Sequence, residues 1–80
     1  MNNSINGFAS RVRIVSLLRQ KGVDESKLNI LPKRAEFTEI SNKIIKFRYL
    51  RYEYEYDYFV GAIRYKDATF GPWTKWAPFG

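Results

Sequence analysis

The chain has 80 residues, with no cysteine or histidine, and 14 lysines and arginines against 8 aspartates and glutamates, for a formal net charge of +6. Without thiolate or imidazole ligands it can form no disulfide and no ordinary zinc, haem or iron–sulfur site. An 80-residue domain buries only about 60–65% of its unfolded surface, and its positive surplus suits a polyanionic partner, nucleic acid or an acidic protein surface.

No apolar run approaches the ~18 residues needed to cross a membrane, and the first residues are polar and neutral rather than basic and then apolar. The expectation is a soluble protein, made and used in the cytoplasm, with no cofactor and no metal. Oligomerisation is the expected supplement to so small a core.

From Ile5 the apolar residues Ile5, Phe8, Val12, Val15 and Leu18 recur in steps of three and four, widened by Ile14 and Leu17. This predicts an amphipathic helix over about 5–21. Arg11, Arg13, Arg19 and Lys21 take the other sides and could meet phosphate or an acidic partner, although most such faces are only solvated. Gly22 supplies a left-handed stop. Residues 22–33 read as a connector in which Asp24-Glu25-Ser26 can open a helical turn and Leu28, Ile30 and Leu31 run extended. A strand follows over 35–41, with Ala35, Phe37 and Glu39 on one side and Glu36, Thr38 and Ile40 on the other. Ser41-Asn42-Lys43 reads as a turn.

The strongest pattern is Leu50-Arg51-Tyr52-Glu53-Tyr54-Glu55-Tyr56-Asp57-Tyr58, where apolar and charged residues alternate strictly. Successive strand side chains point to opposite faces, so this is a half-buried strand. Strands are expected over about 44–56, 58–66 and 69–77. Unbroken, residues 44–66 would span about 75 Å, against a radius of gyration of roughly 12 Å for a compact domain of this length. The run must therefore reverse near Glu55–Tyr58, bend at Gly61, or project into a neighbouring subunit. The tail carries Phe70, Trp73, Trp76 and Phe79 at three-residue spacing, broken by Pro72 and Pro78, and reads as an edge strand or an irregular aromatic clamp. The fold class is α+β: one N-terminal amphipathic helix packed on a 3–4-stranded antiparallel sheet, in a single domain.

Glu53, Glu55 and Asp57 form a carboxylate row, and paired carboxylates can hydrolyse glycosides. The plainer reading is a solvated strand face paired with basic residues across the sheet. No histidine can serve as general base, no serine or threonine sits in a strand-to-helix elbow, and the glycines lack a phosphate-cradling spacing. No catalytic residue is assigned, and the protein reads as non-enzymatic. Tyr52, Tyr54, Tyr56 and Tyr58 could stack on bases while Arg48, Arg51, Arg64 and Lys66 hold phosphates. Yet three acids occupy the opposite face, and the tyrosine face is the surface available to receive the helix stripe. Those tyrosines are expected in the core or at a subunit interface, with Trp73 and Trp76 as further interface residues.

Gly71-Pro72-Trp73-Thr74-Lys75-Trp76, after Ala62-Ile63-Arg64-Tyr65, is similar to the late strands of fibronectin type III and cytokine-receptor domains, but an opening helix does not belong to that sandwich. A second resemblance spans about sixty residues: an N-terminal helix, Asp24-x-x-x-Leu28-x-Ile30, a strand near Ala35 to Ile40, Tyr52-Glu53-Tyr54-Glu55-Tyr56 leading into Tyr58-Phe59-Val60-Gly61-Ala62-Ile63, and a close near Asp67. It resembles the tail completion, or tail terminator, proteins of contractile-tailed phages. That family continues beyond its long strand into a further helix with a tryptophan, where this chain carries Trp73 and Trp76 instead. The resemblance implies a non-enzymatic virion protein that forms a ring at the end of the tail tube, partnered by its own copies and other virion proteins. The alternatives are a small basic nucleic-acid-binding or regulatory protein of a phage or mobile element, and a phage inhibitor of a host protein.

Overall fold

The long central run folds back on itself twice within one chain. The computed structural model describes residues 11–41 and 43–79, and the expected first turns of the helix, with Ile5 and Phe8, lie outside them. The elements are helix α1 (Arg11–Gln20), a 3₁₀ helix (Glu25–Ile30), and strands β1 (Glu36–Ile40), β2 (Ile44–Tyr49), β3 (Tyr52–Asp57), β4 (Ala62–Asp67) and β5 (Ala77–Pro78). The strands lie side by side in chain order, every neighbour antiparallel. The class is α+β, with five strands instead of three or four: residues 44–56 hold two strands rather than one, and the tail strand shrinks to two residues. The Cα radius of gyration is 11.9 Å, so the strand does not need a neighbour to accommodate its length.

The first reversal is at Leu50-Arg51, where none was expected; the second falls beside the expected positions Glu55–Tyr58 and Gly61. Tight two-residue hairpins favour a positive φ, because their backbone twist then matches that of the strands. Leu50 takes φ 57, a left-handed conformation that costs an L-residue roughly 1–2 kcal/mol. No glycine or asparagine announces this turn, and the strict alternation begins inside it, at Leu50. The second reversal is the loop 58–61. There the Asp57 Oδ1 accepts from the amides of Phe59 and Val60 at 3.0 and 3.1 Å, and the Gly61 amide donates to the Asp57 carbonyl at 2.9 Å.

Strand β1 departs from simple alternation. Phe37 pairs with Phe47, Glu39 with Lys46 and Ile40 with Ile45, leaving Thr38 as an extra residue. This bulge shifts the pleat by one position. Phe37 and Ile40, expected on opposite sides, both point into the core, and Glu39 turns to the other face.

Helix α1 ends as expected. The Val23 amide donates to the Leu18 carbonyl at 2.9 Å and the Gly22 amide to the Arg19 carbonyl at 3.0 Å, with Gly22 at φ 74, a Schellman cap. Its buried stripe is rotated from the expected one. Ile14 and Leu18 are fully buried, whereas Val12 is 80% exposed. Arg11 takes the inward place, its guanidinium donating to the carbonyls of Leu28 (2.7 Å), Leu31 (3.2 Å) and Pro32 (3.0 Å). These carbonyls close the 3₁₀ segment, and those of Leu28 and Pro32 also accept from the amides of Leu31 (3.0 Å) and Ala35 (3.1 Å). The 3₁₀ repeat of three residues per turn also brings Leu28 and Leu31 inward while Ile30 stays exposed; the expected extended segment is instead helical.

The core joins Ile14 and Leu18 of α1, Leu28 and Leu31 of the connector, and Phe37, Ile40, Ile45, Phe47, Tyr56 and Tyr58 of the sheet. Burial of each such side chain contributes about 1.5–3 kcal/mol. Among the described residues, no helix is long and apolar enough to cross a membrane.

Candidate functional site

Among the described residues, the helical layer covers only part of the sheet. Register places Tyr49 opposite Tyr52, Phe47 opposite Tyr54, and Tyr54 opposite Tyr65, all on the core-facing side. Tyr56 sits deep in the core, but Tyr49, Tyr52 and Tyr54 are half-buried and Tyr65 is 42% exposed. Their rings touch in series: Phe47 stacks on Tyr54 at 4.9 Å, Tyr65 meets Tyr54 at 5.6 Å, and Tyr52 meets Tyr65 edge-on at 5.5 Å. Burial, and then the neighbouring phenols of Tyr65, Tyr52 and Tyr49, push the Tyr54 hydroxyl above its ordinary range. Beside this cluster, the Ala68 amide donates to the Arg51 carbonyl at 2.9 Å, joining the β2–β3 turn to the loop after β4. Both segments carry exposed apolar side chains, Leu50 and Phe70. This end of the sheet is an amphipathic aromatic surface, suited to packing against another protein.

The opposite face carries the predicted carboxylates, each already partnered. Glu55 is 8% exposed and receives the Arg64 Nε at 2.7 Å, with the Lys46 ammonium at 3.5 Å from its other oxygen. Glu53 pairs with Arg48 at 3.2 Å, and Asp57 is occupied by the loop amides. The expected pairing with basic residues across the sheet is present, but the face is not simply solvated. Trp73 and Trp76 each stack on the Arg64 guanidinium at 4.8 Å. The tail is held along β4 by the Thr74 amide on the Tyr65 carbonyl (2.8 Å), the Tyr65 amide on Thr74 Oγ1 (3.0 Å) and the Phe79 amide on the Gly61 carbonyl (2.8 Å). It is thus an aromatic clamp that ends in a short edge strand.

The structure divides the predicted residues. Tyr52 and Tyr54 lie in the half-exposed cluster. Tyr56 and Tyr58 are core, the Tyr58 hydroxyl donating to the Ser41 carbonyl at 2.9 Å. Trp73 and Trp76 sit on the other face, away from the tyrosines. Of the basic helix residues, Arg13 and Arg19 are exposed and Lys21 is partly so, while Arg11 turns inward onto backbone carbonyls. Arg48, Arg51 and Arg64, considered as phosphate holders, are engaged by Glu53, Asp67 and Glu55. The positive surplus lies elsewhere: residues 11–34 hold seven of the basic side chains and only Asp24 and Glu25 in opposition. Sequence reasoning missed Tyr49 and Tyr65 as members of the aromatic cluster; their signal, an aromatic opposite a tyrosine in register, becomes readable only once the hairpins are placed.

No protein-family model, curated protein or solved structure matches the chain.

Proposed function

We propose that this is a non-enzymatic phage virion assembly protein of the tail-completion type, which binds further copies of itself through the tyrosine end of its sheet to form a ring. The observation that carries this reading is the half-covered cluster of Tyr49, Tyr52, Tyr54 and Tyr65, flanked by exposed Leu50 and Phe70. Large aromatic side chains left partly wet on an ordered sheet gain most from a protein partner, and interface centres are rich in tyrosine. A non-enzymatic role accords with Glu53, Glu55 and Asp57 being committed to structural partners. Other virion proteins are the expected second class of partner.

The test is size-exclusion chromatography with light scattering over a range of protein concentrations. The expected result is an oligomer that Tyr52→Arg with Tyr65→Arg reduces to a folded monomer, because charge placed at the centre of an apolar contact is not accommodated. A wild-type monomer at every concentration, or an oligomer indifferent to both substitutions, overturns the reading.

A further inference from the structure

The other end of the sheet carries a second surface. Phe59 and Val60 occupy the β3–β4 loop, where glycine, asparagine and serine are the ordinary residues, and they are 78% and 69% exposed. The loop is nevertheless well ordered by three hydrogen bonds to Asp57, through the amides of Phe59, Val60 and Gly61. An apolar pair is thus held outward on a fixed turn, so little ordering cost remains when a ligand covers it.

Phe59 borders a depression of about 550 Å³, lined also by Lys21, Gly22, Val23, Asp24, Lys27 and Tyr58. That volume falls within the ~300–1,000 Å³ typical of small-ligand sites. Lys21 follows the last turn of α1 and Lys27 belongs to the 3₁₀ helix, so two elements distant in sequence from the loop bring lysines to the depression that Phe59 borders. Asp24, the acid at the rim, accepts from the Ser26 amide at 2.9 Å as the cap of the 3₁₀ helix. Most of the lining comes from residues 11–34, which carry seven basic and two acidic side chains.

We infer that this depression binds single-stranded nucleic acid, a base stacking on Phe59 while Lys21 and Lys27 hold adjacent phosphates. An exposed aromatic ring beside cationic side chains is the combination that tracks unpaired strands, because every free base offers a π face that a duplex keeps within its stack. An acidic peptide would use the lysines but leave the ring idle. The tyrosine cluster adjoins the other end of β3, about 17 Å away along the strand, so this site is separate from the proposed self-association surface.

The experiment is fluorescence anisotropy with a labelled single-stranded oligonucleotide and the matching duplex, titrated with the whole protein from low to physiological salt. Single strands are expected to bind more tightly than duplex. Phe59→Ala should weaken binding about 5- to 160-fold, the usual worth of one stacked base. Lys21→Gln with Lys27→Gln should make the slope of log affinity against log salt shallower by about 1.4, two phosphate contacts on a single strand. Thermal unfolding of each variant checks that these side chains are not needed for the fold. Binding that survives Phe59→Ala unchanged, duplex preference, absence of binding at low salt, or capture of polyglutamate without nucleic acid each overturns the inference. The Tyr52→Arg, Tyr65→Arg variant should still bind the strand, which separates failure here from failure of the assembly reading.

Discussion

Arg64 is the side chain whose replacement tests the most of this architecture. Its guanidinium joins three elements: it holds Glu55 of β3 at 2.7 Å and is stacked between Trp73 and Trp76 of the tail at 4.8 Å each. Removing one partner of a fully buried ion pair costs about 3–5 kcal/mol. The penalty here is smaller, because the Arg64 side chain is 31% exposed and Lys46 remains 3.5 Å from Glu55; about 2 kcal/mol is reasonable after that screening. Two stacking contacts at a partly exposed site add about 1 kcal/mol. Arg64→Met, which keeps the apolar stem, should therefore destabilise the protein by about 2–3 kcal/mol, or about 10–20 °C in Tm for a domain of this size.

The assay is urea denaturation at neutral pH, followed by circular dichroism and tryptophan fluorescence, with the folded-state emission shifting to the red as the indoles lose their stacking partner. Adding Glu55→Gln to Arg64→Met should restore about 1 kcal/mol, since much of the loss is a nearly buried carboxylate left with Lys46 alone as its cation. A loss below ~0.5 kcal/mol for Arg64→Met, well under the worth of these contacts, would refute the clamp. So would a double variant less stable than the single one.

Leu50→Gly should stabilise the protein by about 0.5–1 kcal/mol, because the left-handed strain it relieves exceeds the extra chain entropy of glycine and the side chain is 80% exposed; a lower denaturation midpoint would contradict this. Asp67 accepts from the hydroxyl and amide of Thr69 and from Arg51, which lower its pKa from 3.8 to about 2. A carboxylate depressed in the folded state stabilises above its unfolded pKa and loses that contribution as pH falls through the folded one. The stability of the wild-type protein should thus decline between 3.8 and about 2 more steeply than that of Asp67→Asn, the gap closing at lower pH, and superimposable acid titrations of the two proteins would show that the network is not formed.

Patterns set by neighbouring residues were readable in the sequence. The three-and-four spacing marked α1, Gly22 marked its end, alternation marked β3, and Gly61 marked a bend, because helix periodicity, pleat and left-handed backbone are properties of a few consecutive residues. What depended on register was hidden. The turn at Leu50-Arg51 carries no turn residues and is selected by the pairing of Tyr49 with Tyr52; Thr38 becomes an extra residue only because Phe37 and Ile40 must both reach the core. Arg11 looked like part of a solvated face until the carbonyls of Leu28, Leu31 and Pro32 were placed beside it. Likewise, the alternating tyrosines determine that a two-faced strand exists, whereas packing decides their separate fates: Tyr56 and Tyr58 join the core with α1 and the 3₁₀ helix, while Tyr52 and Tyr54 are half-buried against each other's rings.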